Sequence, residues 1–195
     1  MPRRYRHYFS FMGNFLSVIN KFYSPGSDLY NLLLNHSQCV MTLAIDLAAS
    51  RSLAVDYELL ASGAMLHDIG ILHTHAPSIL CTGMENYMRH GVLGAEMLRP
   101  LGLEAEARIC ERHIGAGLSA CEIAAQKLPL PQVDFLPLTL EEKLVCYADN
   151  FFSKSSPSFM PRKFADVRAK MAKFGDATLA RFDEMAQMFG SPDDI

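Results

Sequence analysis

Six histidine and aspartate residues lie where a helical pattern would place apolar side chains. His36 shares a helical stripe with Val40 and Leu43, so it is expected to face the protein interior. The other five, each on an apolar stripe or at the end of one, are His67, Asp68, His90, His113 and Asp149. One inward histidine is usually a packed residue bonded to a carbonyl, but six buried imidazoles and carboxylates are costly unless they are paired or metal-bound. These donor types suit Fe, Mn, Zn or Co, and a carboxylate can bridge two ions, so the set is typical of a two-metal site.

The elements that must position these residues are predicted to be helices. Apolar residues recur at three- and four-residue steps, and the alternation typical of strands is scarce. The helical segments are 27–50, 56–68, 86–101, 103–114, 139–154 and two closing segments from about 162 to 189. Ser27 and Asp56 are the expected N-caps of the first two. We expect Gly70 to end the second by adopting a positive φ.

The remaining segments do not carry a helical pattern. Residues 71–86 contain Pro77 and Gly83 and have no clear period, so they are predicted to form a long loop. Residues 128–138 contain three prolines and are predicted to connect two packed helices. The fold class expected from this organisation is all-α, as a single-domain helical bundle.

Length and charge restrict the class of protein. A chain of 195 residues with half its residues apolar fits one globular unit, which we divide into an N-terminal helical extension (1–25), a core (26–156) and C-terminal helices that pack on the core (157–195). A net charge of -3 argues against a surface for long nucleic acid. The absence of a long uninterrupted apolar run argues against a membrane span and favours the cytoplasm. The five cysteines lack paired spacing and are expected to be reduced.

The order of the six polar residues, with the "HDIG" run at His67–Gly70, resembles the HD-domain superfamily of metal-dependent phosphohydrolases over about residues 29–155. The resemblance implies a helical bundle of the HD-domain type that binds two divalent ions, with Fe, Mn, Zn, Co, Ni or Mg as candidates. The implied ligands of the first ion are His36, His67 and Asp149, those of the second are His90 and His113, and Asp68 bridges the two.

The chemistry implied by this resemblance is hydrolysis of a phosphoester or phosphoanhydride by a metal-activated water, with Asp68 as a catalytic residue. Lys154, five residues after Asp149, is the second candidate catalytic residue because it is the nearest cation in the sequence. Lys154, expected on the same helix as Asp149, is either the cation that stabilises the phosphoryl oxygens or a solvated lysine at a helix end. Five further residues near the ligands have no assigned role: His73, His75, Arg89, Arg112 and Asn150.

The expected substrate is a small phosphorylated molecule, with a nucleotide favoured, acted on by a monomer or homodimer. Relatives of this type hydrolyse nucleotides, dinucleoside polyphosphates and cyclic nucleotides, and the six-residue set resembles that of symmetrical dinucleoside tetraphosphate hydrolases. The branch that cleaves cyclic dinucleotides carries a Gly-Tyr-Pro signature after its later histidine, whereas His113 leads into "IGAGLSACE". Two other functions stay open: a di-iron oxygenase with the same ligand order, and a non-catalytic metal- or nucleotide-binding regulatory module.

Overall fold

The computed structural model describes residues 15–155 and 160–195. Their regular structure is helical apart from one two-stranded sheet, so the prediction of an all-α fold is confirmed. Residues 15–22 are helical (α1). The following helices are α2 (Asp28–Ser50), α3 (Tyr57–Leu66), α4 (His90–Leu98), α5 (Glu104–Arg112), α6 (Ala120–Ala125), α7 (Leu140–Asp149), α8 (Phe164–Ala172) and α9 (Asp176–Phe189).

Two helices begin at the caps that the sequence predicts. The side chain of Ser27 accepts a hydrogen bond from the Tyr30 amide at the start of α2. The side chain of Asp56 accepts from the amides of Glu58 and Leu59 at the start of α3. Because these caps satisfy amides that have no partner inside the helix, they define where each helix begins.

Helix α2 is the central helix of the core and packs against α3 and α7. Several of its buried residues, including Val40 and Leu47, belong to one apolar cluster with Tyr147 of α7 and Phe182 of α9. Helix α2 is also long and apolar enough to cross a membrane by length and composition alone, with a mean hydropathy of 1.2. Half of that window is buried inside the protein, as in the core helix of a globular domain.

The C-terminal helices complete this apolar cluster. Val167 and Met171 of α8 and Phe182 and Phe189 of α9 are buried in it. The Tyr147 hydroxyl donates a hydrogen bond to the carbonyl of Gly190, 2.9 Å away, which attaches the end of α9 to α7. The boundary expected between the core and these helices, at 156/157, lies outside the described residues, as do residues 1–14 of the expected extension.

The segment predicted to be a long loop is instead a succession of short ordered elements. Short 3-10 helices span Ile69–His73, Pro77–Ile79 and Tyr87–Arg89, and strands β1 (His75–Ala76) and β2 (Cys81–Thr82) pair antiparallel. Further 3-10 turns are Arg99–Leu101 and Pro192–Asp194. Elements of two to five residues are too short to produce a periodic pattern, which is why the sequence does not reveal them.

Helix α6 was not predicted from the sequence. It has six residues and begins at a capping box, in which Ser119 and Glu122 each bond the other's backbone amide. The Ser-x-x-Glu spacing was the available signal. All five cysteines are free thiols, as predicted, with Cys121 exposed and Cys39 partly buried.

Candidate metal centre

The six predicted residues come together from five separate parts of the chain. His36 lies within α2, His67 and Asp68 follow α3, His90 begins α4, His113 follows α5 and Asp149 ends α7. All are buried except Asp149, which is partly exposed. Five of them therefore sit at or just beyond helix ends, where the chain direction changes and side chains from successive residues can converge.

Asp68 lies at the centre of the cluster and presents one carboxylate oxygen to each of two groups. Its Oδ2 lies 3.2 Å from Nε2 of His36 and 3.2 Å from Nε2 of His67. Its Oδ1 lies 3.4 Å from Nε2 of His90 and 3.6 Å from Nε2 of His113. Asp149 completes the first group, with Oδ1 2.9 Å from His36 Nε2 and 3.5 Å from His67 Nε2. Each group presents three or more donor atoms within 4.8 Å of one another and can hold a metal ion.

Three of the histidines are oriented by the same local hydrogen bond. Nδ1 of His67 lies 2.6 Å from the carbonyl of Ala64, Nδ1 of His90 lies 2.6 Å from that of Tyr87, and Nδ1 of His113 lies 2.6 Å from that of Cys110. A carbonyl can only accept, so Nδ1 carries the hydrogen in each ring. The neutral form of each ring then has its lone pair on Nε2, which faces the cluster, as in histidines that bind metals.

Unpartnered buried atoms show that a cation fits this site. Among the described residues, His67 Nε2 and Asp68 Oδ1 are buried and have no hydrogen-bond partner. A buried acceptor without a partner costs about 1–3 kcal/mol, and a charged one costs more. A cation on the cluster would satisfy both atoms, because both are electron-pair donors.

The charges of the cluster also favour a cation. Burial raises the pKa of the Asp68 carboxyl, but Lys154 and His67 outweigh that effect and hold the pKa well below its usual range. The pKa of the Asp149 carboxyl is also held well below its usual range, chiefly by Lys154 and His36. Burial opposes protonation of His67, yet the adjacent Asp68 and Asp149 carboxylates raise its pKa to about 10. The carboxylates thus attract positive charge to His67 Nε2, and a metal ion there would replace the proton. Burial lowers the pKa of His90 to about 3, against the pull of Asp68.

Lys154 reaches the cluster from outside the helix on which it was predicted. Helix α7 ends at Asp149, and Lys154 lies in the turn beyond, with its Nζ 2.6 Å from Asp68 Oδ2. A continuing helix would have carried residue 154 away from residue 149, whereas the turn lets the chain fold back. Burial lowers the pKa of Lys154, but Asp68 and Asp149 outweigh it and raise the pKa above its ordinary value. The ammonium therefore stays charged, and the reading of Lys154 as a solvated helix-end lysine was wrong.

Gly70 does not have the positive φ that the sequence suggested, since it is not among the residues with left-handed backbone. Its role is close packing. A Cβ at position 70 would collide with the carbonyl oxygen of His90 and the amide of Gly94 in α4. The glycine of "HDIG" therefore lets the backbone after Asp68 lie directly on the helix that carries His90.

A cavity of about 520 Å³ opens beside the cluster and is lined by His90, His113, Asp149 and Lys154. This volume lies in the range typical of small-molecule sites. Asn150 also lines it and donates hydrogen bonds to the carbonyls of Gly115, at 2.6 Å, and Cys146, at 2.8 Å. Asn150 thus holds the turn after His113 against α7.

The other residues of unassigned role lie outside this cavity lining. His73 and His75 are exposed. Arg89 pairs with Glu85 at 2.6 Å, and Arg112 donates to the buried carboxylate of Glu142 at 3.0 Å. Two basic residues of the cavity wall, Arg162 and Lys170, were not predicted from the sequence. Neither lies near a ligand in the sequence, so no local signal marked them.

Comparison with known proteins gives a family and several relatives. The family model described as HD domain matches residues 33–153. An uncharacterized protein of Methanocaldococcus jannaschii is 45% identical over 60% of this chain and 64% of its own length. Proteins named tRNA (cytidine(56)-2'-O)-methyltransferase, from Picrophilus torridus and Thermoplasma volcanium, are 39% and 38% identical over 63% and 67% of this chain. The matches span only 32% and 34% of those two proteins.

No solved structure matches this chain significantly. The family match covers well over half of the chain and contains all six clustered histidines and aspartates. In combination, the family and the cluster suggest a metal-dependent hydrolase. The chain belongs to the HD domain family.

Proposed function

We propose that this protein is a metal-dependent phosphohydrolase that cleaves a small phosphorylated molecule, with a nucleotide as the favoured substrate. The observation that carries the proposal is the position of Asp68, whose two oxygens face two different groups of ligands. This arrangement supports a pair of ions, one held by His36, His67 and Asp149 and one by His90 and His113, with Asp68 between them. When bound, such ions would lower the pKa of a water molecule and polarise a phosphoryl oxygen.

The residues of the chain supply the remaining requirements of the reaction. In hydrolysis the water oxygen bonds to phosphorus, the bond from phosphorus to the leaving oxygen breaks, and a proton passes to the leaving group. Lys154 lines the cavity and carries a charge that can stabilise the phosphoryl oxygens as negative charge builds up on them. The cavity volume of about 520 Å³ accommodates a nucleotide-sized molecule.

The methyltransferase name of two relatives is not carried over. The match covers only about a third of each of those proteins. Their names support, at most, a link between this domain and nucleotide chemistry.

The proposal is tested by metal analysis together with phosphate release. The protein is purified without chelator, its metal content is measured by elemental analysis, and phosphate release from a nucleotide panel is followed with and without oxygen. The expected result is about two divalent ions per chain and oxygen-independent release of phosphate. Iron with oxygen uptake and no phosphate release would identify an oxygenase instead, and bound metal without any turnover would identify a binding module.

A matched pair of variants ties the activity to the cluster. Asp68→Asn keeps the shape of the side chain but removes its charge, so bound metal and phosphate release are expected to be lost together. Asp46→Asn removes an exposed carboxylate from α2 and is expected to change neither. Full activity in the Asp68→Asn variant would reject the proposed site.

A further inference from the structure

The cavity beside the cluster has a basic wall that lies beyond the family match. Arg162 and Lys170 line the cavity together with Lys154, whereas the match to the family ends at residue 153. Lys154 is paired with Asp68, and Asp149 is the one carboxylate among the described residues that line the cavity. Arg162 and Lys170 therefore add positive charge to this cavity in a chain whose net charge is -3. This distribution favours an anionic ligand that extends away from the cluster.

Arg162 is held in place at the cavity wall and retains unused donors. Its backbone amide donates to the carbonyl of Phe151 at 2.8 Å, and its Nη2 donates to the carbonyl of Phe152 at 2.6 Å. Its Nε is buried and has no hydrogen-bond partner among the described residues. A guanidinium donor that is buried without a partner is costly, and a phosphate oxygen is a suitable acceptor for it.

Lys170 comes to the same wall from α8. Burial lowers the pKa of Lys170, and repulsion from Arg162 and Lys154 lowers it further against the attraction of Asp149. Lys170 is an exposed residue and lines the same cavity as Arg162 and Lys154, so the three positive charges border one space. Like charges gathered in this way are stabilised when an anion binds between them.

We propose that Arg162 and Lys170 bind a second phosphate group of the substrate, separate from the phosphate that reacts at the cluster. The role of this second phosphate-binding site in catalysis rests on the proposed function. Phe174, which is 49% exposed, and Leu128 line the same cavity and offer an apolar surface for the organic part of the molecule. The substrate class is thus a small molecule with two phosphate groups, either joined in one chain or attached at two positions.

Binding of phosphonates tests the subsite without requiring turnover. Methylphosphonate carries one phosphonate and propane-1,3-diphosphonate carries two, and neither is a phosphoester that the protein can hydrolyse. Calorimetry with the metal-loaded protein is expected to show tighter binding of the diphosphonate. Lys170→Met should weaken diphosphonate binding roughly tenfold, the loss expected for one charge-assisted contact, and leave methylphosphonate binding unchanged.

The matched control is Lys173→Met, which removes an exposed lysine that follows α8 and does not line the cavity. It is expected to bind both phosphonates as the unmodified protein does. Arg162→Gln is a second test variant, whose thermal unfolding is compared first because Arg162 also bonds Phe152. Equal weakening of both phosphonates, or an unchanged diphosphonate affinity in Lys170→Met, would overturn the subsite.

Hydrolysis assays separate this inference from the proposed function. Adenosine 5′-monophosphate, adenosine 5′-diphosphate and adenosine 3′,5′-bisphosphate are compared, so that a phosphate chain is distinguished from two separate phosphates. Lys170→Met is expected to lower kcat/KM roughly tenfold for one or both two-phosphate compounds and not for the monophosphate. If phosphate is released but Lys170→Met lowers kcat/KM equally for all three compounds, the subsite is rejected and the proposed hydrolase function is not. Selective diphosphonate binding without any phosphate release would support the subsite and reject the hydrolase.

Discussion

The Nε2 atoms of His90 and His113 lie 2.9 Å apart, at hydrogen-bond distance. Each ring already carries a hydrogen on Nδ1, where it is donated to a backbone carbonyl. Two neutral rings would therefore direct two lone pairs at each other across this gap, which is repulsive. A cation between or beside them removes the repulsion, and Asp68 Oδ1 is near enough to both to share it. This pair is the strongest local reason to place a second ion in the site.

Substitution of His90 tests this second ion. His90→Ala removes one of its two histidine ligands but leaves His36, His67 and Asp149 intact, so metal content should fall from about two ions per chain to about one. Elemental analysis measures the loss, and circular dichroism checks that helix content is unchanged. His75→Ala, in an exposed strand residue, is the control. Unchanged metal content in His90→Ala would contradict a second ion.

Substitution of Lys154 separates charge stabilisation from metal binding. Lys154→Met should keep both ions, because Lys154 is not a ligand, while lowering kcat about 100-fold, as expected for loss of one donor to the developing charge. Lys154→Arg should recover part of the loss, since it restores the positive charge. Loss of metal in Lys154→Met would show that the lysine stabilises the site and does not act on substrate.

Substitution of Gly70 tests the close packing after Asp68. Gly70→Ala should lower the free energy of unfolding by about 3 kcal/mol, because the new methyl group meets the backbone of α4, which cannot move aside easily. Gly94→Ala is the graded comparison, since its nearest new contacts would be 3.2–3.3 Å away. Its effect, measured by the same urea unfolding, should be smaller. Equal stability of Gly70→Ala and the unmodified protein would mean that the two elements can separate at little cost.

The ion pair between Glu122 and Arg181 predicts a pH-dependent contribution to stability. Burial raises the pKa of Glu122, but the Ser119 amide and Arg181 outweigh it and lower the pKa from 4.5 to about 2. A lowered folded-state pKa stabilises the protein above the unfolded value, and this contribution disappears as the pH falls through the folded value. Glu122→Gln should therefore lose about 2 kcal/mol above pH 5 and almost nothing near pH 2.

Urea unfolding of the two proteins at several pH values measures this difference. Arg181 also donates to the carbonyls of Ala116 and Gly117, each at 3.0 Å, in the turn after His113. The pair therefore links α9 to the turn that borders the cavity. A stability difference that is constant between pH 5 and pH 2 would assign the effect to packing rather than charge.

The amino-acid sequence determined the helical class, the two N-caps and the six clustered residues. These features depend on local physics: a 3.6-residue apolar period, a side chain that bonds the next turn, and polar groups placed on apolar stripes. The family resemblance then assigned the six residues to two ions. The structure brings the residues of each of the two groups together.

Only the tertiary structure decided the features that depend on contacts between distant segments. Gly70 was expected to adopt a left-handed turn, but its φ is not positive. Position 70 requires glycine because α4 packs directly against its backbone. Lys154 was expected on a helix, but α7 ends at Asp149 and the chain returns the ammonium to Asp68. Arg162 and Lys170 line the cavity because the C-terminal segment packs on the core. Sequence periodicity reports which face of a helix is buried, whereas the partner of that face is chosen by packing among segments far apart in the chain.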